Sequence, residues 1–250
     1  RRFIFKLDTN MNKLFKDNIR LEREEHKYIL DTNPDLKFIS VTTFIGQFFE
    51  EFNAQKIAKK LVASSPKYMG MSVEEVLATW NESAEHGTKV HEELENYILN
   101  KNPLTEAKSI QGMNWLNKYK MKSSFEVYPE VIIYSEELKL SGTIDLLLFD
   151  KINNKYIIMD WKTSKKIDTK SYRNKRGIKP ASANIEDTKF NHYALQLSLY
   201  RYLLEEYYGI EVTQHLIIHL KDNECLGLHV PYMKKNVTKN IDREFSILNK

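Results

Sequence analysis

The sequence contains very little cysteine, since Cys225 is the only one among 250 residues. A single thiol excludes an internal disulfide and any metal site built from four cysteines, whether zinc or iron–sulfur. It also fits a reducing compartment, so we expect an intracellular protein of the cytoplasm or nucleoid. An organelle stays open, because the sequence begins at Arg1 without a Met and an upstream targeting segment has to be allowed for.

Long apolar runs are also lacking. The longest, such as Leu146–Phe149, are far too short to span a bilayer, so we expect no membrane partner. There is no Walker A sequence, so a motor that unwinds nucleic acid would be a separate chain. The spacing of His86, His91 and Glu92 does not form the HExxH motif, which argues against a zinc peptidase.

Repeats and linkers rich in proline, glycine or serine are absent, so we expect one domain over residues 1–250. Within it, residues 1–120 are expected to form strands and a mostly helical part, and residues 121–250 a catalytic sheet core. Neither charge predominates, with 38 basic and 34 acidic residues and a net charge of +4. That excess is too small to indicate nucleic acid by itself, so the local distribution of charge matters more.

The first half of the chain shows mainly helical periodicity. Tyr28–Leu30 and Phe38–Val41, around the turn-like residues 33–35, predict a hairpin. Thr42 or Thr43 then caps a predicted helix that runs on through Leu61. Further along, residues 72–75 form a capping box for a helix that Gly87 is expected to interrupt, and another helix is predicted around Ile110–Leu116.

The period changes to two in the second half. Strands are predicted at residues 125–134, 138–149 and 156–161, a helix at 193–208, strands at 213–220 and 226–230, and a last helix at 237–248. Helices followed by a strand meander, a helix and more strands predict an α/β fold with a mixed central sheet flanked by helices.

One predicted hairpin carries two carboxylates. If its turn is Ile152-Asn153, Asp145 lies directly opposite Asp160, with Cβ atoms about 5 Å apart. Lys162 then points to the same face as Asp160, and Trp161 points away. A register slip of one residue would break this alignment.

Like charges opposite each other destabilise a sheet, and a divalent metal offsets them. Mg²⁺ accepts one or two carboxylates and keeps waters for a phosphate substrate. A lysine nearby can orient or deprotonate water, or neutralise charge on the transferring phosphate. For these residues in isolation, a plain ion pair between Lys162 and one aspartate is the more frequent arrangement.

Five short segments occur in one order between about Val41 and Tyr200. They are Gly87–Glu95, which matches GTxxHxxxE, Glu130, Gly142–Asp145, Asp160–Thr163 and Gln196–Tyr200. Together they resemble the RecB-like branch of the PD-(D/E)xK nucleases, with spacing most similar to the mitochondrial genome maintenance exonucleases. The resemblance implies a restriction-endonuclease-like core. Since four cysteines are absent, it is to the members without an iron–sulfur cluster.

The resemblance also implies roles for single residues. Ligands of one or two Mg²⁺ or Mn²⁺ ions would be His91, Asp145, Asp160 and the main-chain carbonyl of Trp161. The catalytic group would be Lys162. The side chains of Gln196 and Tyr200, one helical turn apart, would face the site, and Glu95 and Glu130 would lie behind the ligands or at a second metal. A partly buried structural histidine and an ordinary amphipathic helix are the alternatives for His91 and for the Gln196–Tyr200 pair.

The leading hypothesis is hydrolysis of phosphodiester bonds in DNA by an exonuclease, and the resemblance favours single-stranded ends or flaps as its substrate. Replication, repair or recombination would be the setting, with a separate helicase, polymerase or recombinase as a partner. Predicted DNA contacts come from a basic stretch, Lys165, Lys166, Lys170, Arg173, Lys175 and Arg176. A solvated lysine-rich loop is the alternative for that stretch. The rings of Tyr172, Tyr193 and Trp80 are candidates for base stacking.

Three other functions remain open at this point. A structure-specific endonuclease of the same fold would use the same residues. A catalytically silent nucleic-acid-binding module would not need His91, Asp145, Asp160 and Lys162 together. A protein that serves only as an interaction partner would have no need for opposed acids beside a lysine.

Overall fold

The computed structural model of the chain describes Leu14 and residues 18–248. In this part, six strands form one mixed sheet. They are β3 (Ile39–Ser40), β4 (Phe125–Ser135), β5 (Leu140–Asp150), β6 (Lys155–Lys162), β7 (Val212–Leu220) and β8 (Cys225–His229). Two short strands, β1 (Ile19–Glu22) and β2 (Lys27–Leu30), pair with each other as a separate ribbon.

Helices cover both faces of the sheet. They are α1 (Val41–Gly46), α2 (Ala54–Ser64), α3 (Val73–Asn100), α4 (Ala107–Lys120), α5 (Lys189–Tyr208) and α6 (Lys234–Leu248). Apolar residues of α1, α5 and α6 form one core with one face of the sheet, and those of α3 and α4 form a second core with the other. The predicted α/β class, a mixed sheet flanked by helices, is confirmed. None of the helices described combines the length and apolar character needed to cross a membrane.

The strands and helices predicted in the second half are confirmed. Residues 156–161 of β6 are all buried, because helices pack on both faces of this strand. In the first half, in contrast, the structures of the ribbon and of α1 differ from what the sequence predicts.

The predicted hairpin of Tyr28–Leu30 with Phe38–Val41 is wrong. Tyr28–Leu30 pairs instead with Ile19–Leu21 of β1, and Ile39-Ser40 pairs in parallel with Leu140-Ser141 of β5. The intervening turn closes only an isolated bridge between Leu30 and Asn33. Pairing with β5 lets the chain continue into α1 with Val41 fully buried, which a surface hairpin would not allow.

The predicted helix from Thr42 or Thr43 through Leu61 is two helices. The N-cap of the first is Ser40, whose side chain accepts a hydrogen bond from the Thr43 N–H. This helix ends at Gly46, and the Phe48 carbonyl then accepts bonds from the Ile178 N–H and the Ser182 hydroxyl. Because that carbonyl is engaged by a distant loop, the chain turns, and α2 begins anew with Asn53 as its N-cap.

The prediction that Gly87 interrupts its helix is also wrong, since α3 runs unbroken from Val73 to Asn100. The capping box of Ser72 and Glu75 at its start is confirmed. A Cβ atom at Gly87 would lie 3.0 Å from the Thr163 hydroxyl oxygen. The glycine therefore allows α3 to approach the end of β6 closely.

The pairing of β5 leaves a gap in the sheet. One edge of β5 pairs with β4 along its length except at Asp145. The other edge pairs with β6 over residues 146–150 and with β3 over residues 140–141. Residues 142–145 lie between these two ladders and belong to neither, so the sheet opens beside Asp145.

Candidate active site

The register of β5 and β6 sets the position of two acids. The paired residues reach Leu146 and Met159, so the next positions along the strands are Asp145 and Asp160. The predicted register of this hairpin is therefore confirmed. The side chain of Trp161 is buried on the opposite face, in the core formed with α3 and α4, as alternation requires.

A third acid lies on the same line across the sheet. On the β4 side, the pairs Pro129–Leu146 and Val131–Ile144 flank the position where Glu130 faces Asp145. Glu130 has a φ of 50° and takes no part in the ladder, although the register is the same on both sides of it. Glu130, Asp145 and Asp160 thus occupy one row over three neighbouring strands.

His91 joins this row from α3. One ligand atom each of His91, Glu130 and Asp145 lies within 4.8 Å of the others. The Nδ1 atom of His91 is 3.5 Å from Oδ2 of Asp145, and that oxygen accepts a hydrogen bond of 2.8 Å from the Trp161 N–H. Two carboxylates and an imidazole at this spacing fit a single divalent cation, because ligands about 2.1 to 2.4 Å from an ion lie within about 5 Å of one another.

Asp160 is held by two neighbours. Its Oδ2 atom is 2.6 Å from the Lys162 ammonium, and its Oδ1 atom accepts a bond of 3.3 Å from Gln196. Gln196 also donates to the Tyr200 hydroxyl oxygen at 3.2 Å. The plain ion pair between Lys162 and one aspartate, which the sequence left as an alternative, is thus present. It belongs to a larger hydrogen-bonded group that includes Gln196 and Tyr200 of α5.

Burial and charge act in opposite directions on this pair. Burial raises the pKa of the Asp160 carboxyl, and the Lys162 ammonium opposes that rise. Burial lowers the pKa of Lys162, but the carboxylates of Asp160 and Asp145 outweigh it, and the net pKa is raised. The raised pKa of Lys162 keeps its ammonium charged at neutral pH, and that charge favours the ionised carboxylate of Asp160.

No positive partner in the described part of the chain is strong enough to keep Glu130 ionised. Burial raises its pKa to about 8, with further contributions from the carboxylates of Asp145 and Glu95, and Arg23 only partly offsets them. Arg23 donates to Glu95 at 2.9 Å and lies 3.5 Å from Glu92. A carboxyl that burial and neighbouring acids keep protonated is a position where a divalent cation would be stabilising, so these residues fit the metal that the sequence predicts.

Gly142 permits the close packing of α5 on the site. A Cβ atom at this position would lie 2.6 Å from Cε1 of Tyr200. Burial raises the pKa of Tyr200 well above its usual range, so this phenol stays protonated. It therefore serves here as a neutral hydrogen-bonding group beside Gln196.

Two cavities meet at His91. The first, of about 470 Å³, is bordered by acidic residues, among them Glu92, Glu95, Glu130 and Asp145. The second, of about 860 Å³, lies on the Lys162 side and is bordered by Trp80, Tyr193 and several lysines. All eight side chains predicted to have roles at the centre, His91, Glu95, Glu130, Asp145, Asp160, Lys162, Gln196 and Tyr200, are brought together around these cavities.

The predicted DNA-contacting residues are more dispersed. Lys165 borders the larger cavity, and Lys170 borders a separate groove beside His192. Lys175 forms an ion pair with Glu50, and the Arg176 guanidinium donates to the Asn184 carbonyl. Lys166 and Arg173 are exposed, with Arg173 5.2 Å from the ring centre of Tyr172. The basic stretch thus does not form one continuous surface at Lys162.

Three features of this site were not predicted from the sequence: the position of Glu130 opposite Asp145, the contact of Arg23 with Glu95, and the contact of Lys162 with Tyr193. If the turn between β4 and β5 is placed from the sequence in the same way as the turn between β5 and β6, Glu130 lies opposite Asp145. Arg23 carries no such signal, because it lies in the turn of the ribbon and reaches Glu95 over 72 positions of the chain. The contact of the Lys162 ammonium with the Tyr193 ring, 4.6 Å from its centre, was also not foreseen.

Comparisons with known proteins agree with this geometry. The family model of the PD-(D/E)XK nuclease superfamily matches residues 47–239. No curated protein sequence matches the chain significantly. Among solved structures, the crystal structure of SSO0001 is 13% identical, covers 85% of this chain and 77% of its own, and has a TM-score of 0.37, too low to support a conclusion. The family match spans most of the sequence, and the chain therefore belongs to the PD-(D/E)XK nuclease superfamily.

Proposed function

We propose that the chain is a divalent-metal-dependent deoxyribonuclease that acts exonucleolytically on single-stranded ends or flaps. The observation that carries the proposal is the convergence of His91, Glu130 and Asp145 within 4.8 Å, beside a lysine 2.6 Å from Asp160. The RecB-like motifs together with the absence of four cysteines favour a member without an iron–sulfur cluster, similar to the mitochondrial genome maintenance exonucleases. Replication, repair or recombination is the proposed setting, with any helicase or polymerase as a separate chain.

The proposed ligands of one or two Mg²⁺ or Mn²⁺ ions are His91, Asp145, Asp160 and the Trp161 carbonyl, and the geometry adds Glu130. When bound, such an ion polarises the phosphodiester and the attacking water. The Trp161 N–H fixes one oxygen of Asp145, which leaves the second oxygen of that carboxylate for a ligand bond. Mixed nitrogen and oxygen donors suit Mn²⁺ as well as Mg²⁺.

The remaining residues position charge around the scissile phosphate. The ammonium of Lys162, anchored by Asp160 and the Tyr193 ring, lies where it can donate to water or to a phosphate oxygen. Gln196 orients Asp160, and Tyr200 supports Gln196 from the same helix. These contacts favour an enzyme over a silent binding module, which would not need a lysine fixed in this way.

The test is digestion of labelled DNA with Mg²⁺, Mn²⁺ or EDTA. Linear single strands, linear duplexes, end-blocked strands and circles separate exonuclease from endonuclease. We expect Asp145→Asn and Lys162→Ala to abolish cleavage of linear single strands, while Asp242→Asn, an exposed residue on α6, leaves it unchanged. Undiminished cleavage by both site variants would refute the assignment, and cleavage of circles would favour the structure-specific endonuclease instead.

A further inference from the structure

The two cavities that meet at His91 differ sharply in charge. Among the described residues around the smaller one, the acids Glu92, Glu95, Glu130 and Asp145 face the cation Arg23 and the imidazoles of His26 and His91. Around the larger one, the lysines outnumber the acids Glu82 and Asp222, the lysines being Lys67, Lys108, Lys162, Lys165 and Lys189. When no cation is bound among these acids, a polyanionic strand is therefore attracted to the lysine side of His91 and repelled from the acidic side.

Two of these lysines are free to bind phosphate. Lys165 follows β6 directly, and Lys189 begins α5, and both are exposed. Neither forms an ion pair with any residue in the described part of the chain. By contrast, Lys108 is held by the Thr163 carbonyl at 3.1 Å, and Lys162 by Asp160.

Aromatic rings lie beside these lysines. Trp80 of α3 contacts Phe52, with ring centres 5.7 Å apart, and 65% of Phe52 is exposed. Tyr68 and Tyr193 border the same cavity, Tyr193 directly under the Lys162 ammonium. Rings interleaved with lysines are the usual surface for unpaired bases, because every base can stack on an aromatic face while its phosphate meets a cation.

The size of the cavity limits what can enter. Its walls come from α3, the end of β6 and the start of α5, and its volume is about 860 Å³. That is the range of pockets for small-molecule ligands, roughly 300 to 1,000 Å³. A short stretch of one unpaired strand fits such a space.

We propose that this lysine–aromatic cavity, bordered by Trp80, Lys165, Lys189 and Tyr193, binds the unpaired nucleotides next to the scissile phosphate. A base stacks on Trp80, supported by Phe52, and Lys165 and Lys189 bind the flanking phosphates. The strand thus reaches Lys162 from this side of His91 only. This inference rests on the proposed nuclease function and adds the residues that select a single strand.

Binding measurements test this without catalysis. A fluorescein-labelled single-stranded 12-mer is titrated in EDTA, with unlabelled single strand and duplex as competitors. We expect Trp80→Ala to weaken binding about tenfold, in line with the loss of one stacked base. The double variant Lys165→Gln/Lys189→Gln should also reduce the salt dependence, log Kd against log salt, by about 1.4 for two lost phosphate contacts.

Matched controls lie far from the cavity. Lys118→Gln changes an exposed lysine on α4, and Ile152→Ala an exposed apolar residue at the distal hairpin turn. Both should bind like the wild type. Phe52→Ala, which removes a mostly exposed ring, gives a second test of stacking in case Trp80→Ala folds poorly, as circular dichroism would reveal.

Each outcome decides one of the two proposals. The cavity proposal would be overturned if the Trp80, Phe52 and lysine variants bind as tightly as the wild type or lose no more affinity than the controls. It would also be overturned if a duplex competes as well as a single strand. Any of these results would leave the nuclease assignment intact, provided that the wild type cleaves DNA. Absence of cleavage with either metal would instead remove the nuclease assignment, and the binding results would still judge the cavity.

Discussion

At the scale of single residues, the site depends on alternation and register. Asp160, Lys162 and the opposing Asp145 follow from strand periodicity and one turn, so the sequence alone could place them. The importance of Glu130 could be reached in the same way from the neighbouring turn. Arg23 could not, because a contact between a ribbon turn and a distant helix leaves no local pattern in the sequence.

Gly142 gives a first test at this scale. Gly142→Ala places a Cβ atom 2.6 Å from the Tyr200 ring, so we expect a loss of about 1 to 3 kcal/mol in the free energy of unfolding. Urea denaturation measures it. Gly46→Ala is the control, because nothing lies within 4 Å of its Cβ. A loss equal to that of the control would show that Tyr200 does not pack as described.

His215 gives a pH-dependent test. Burial lowers its pKa to about 4, helped by the charges of Arg201 and His229, and no hydrogen-bond partner among the described residues meets its Nδ1 atom. The unfolded chain takes up this proton at higher pH than the folded one. The stabilisation is therefore complete above about pH 6.5 and is lost as the pH falls towards 4, on the order of 3 kcal/mol at most.

The corresponding variant is His215→Phe, which keeps a ring against Tyr232. We expect its free energy of unfolding to fall less between pH 6.5 and pH 4 than that of the wild type, as urea denaturation at several pH values would show. His26→Gln, an exposed position in the ribbon turn, should keep the wild-type slope. If the free energy of unfolding changes equally with pH in the wild type and in His215→Phe, the low pKa of His215 would be contradicted.

At the scale of elements, prediction succeeded where neighbours in sequence are also neighbours in space. The meander of β4, β5 and β6 has that property, and its strands and the β5–β6 register were predictable. The strand β3 does not, because its partner is about 100 residues away, at Leu140. The ribbon has local partners, but its strands of four residues each are too short for a clear alternating pattern. A six-residue helix such as α1 also gives too few turns for helical periodicity to fix its end.

The capping box of α3 gives a test at this scale. Ser72→Ala removes the side chain that accepts from the Glu75 N–H, so we expect about 1 kcal/mol less stability. Cleavage activity should be unchanged at temperatures where the protein is folded, because His91 lies five turns further along the helix. Ser64→Ala on α2, which loses only a bond to a carbonyl of its own helix, is the control. An effect no larger than that of the control would contradict the cap.

At the scale of the whole molecule, metal binding and folding should be coupled. The acids of the row repel one another without a cation, and any ion that binds only the folded chain stabilises it. We expect Mn²⁺ at about one hundred times its Kd to add about 2.7 kcal/mol, seen as a higher Tm. In Glu130→Gln the increase should be smaller, although its Tm without metal should be equal or higher. Equal increases in both proteins would place the ion elsewhere.

The gap in the sheet beside Asp145 has a consequence for the smallest fragment that can work. One side of the gap is closed by β3 and the ribbon that carries Arg23, all of which precede residue 47, where the family match begins. A chain trimmed to the matched residues would retain His91, the row of acids and Lys162. It would nevertheless leave β5 without its parallel partner and open one wall of the acidic cavity, so the boundary of sequence similarity is not a boundary of the working unit.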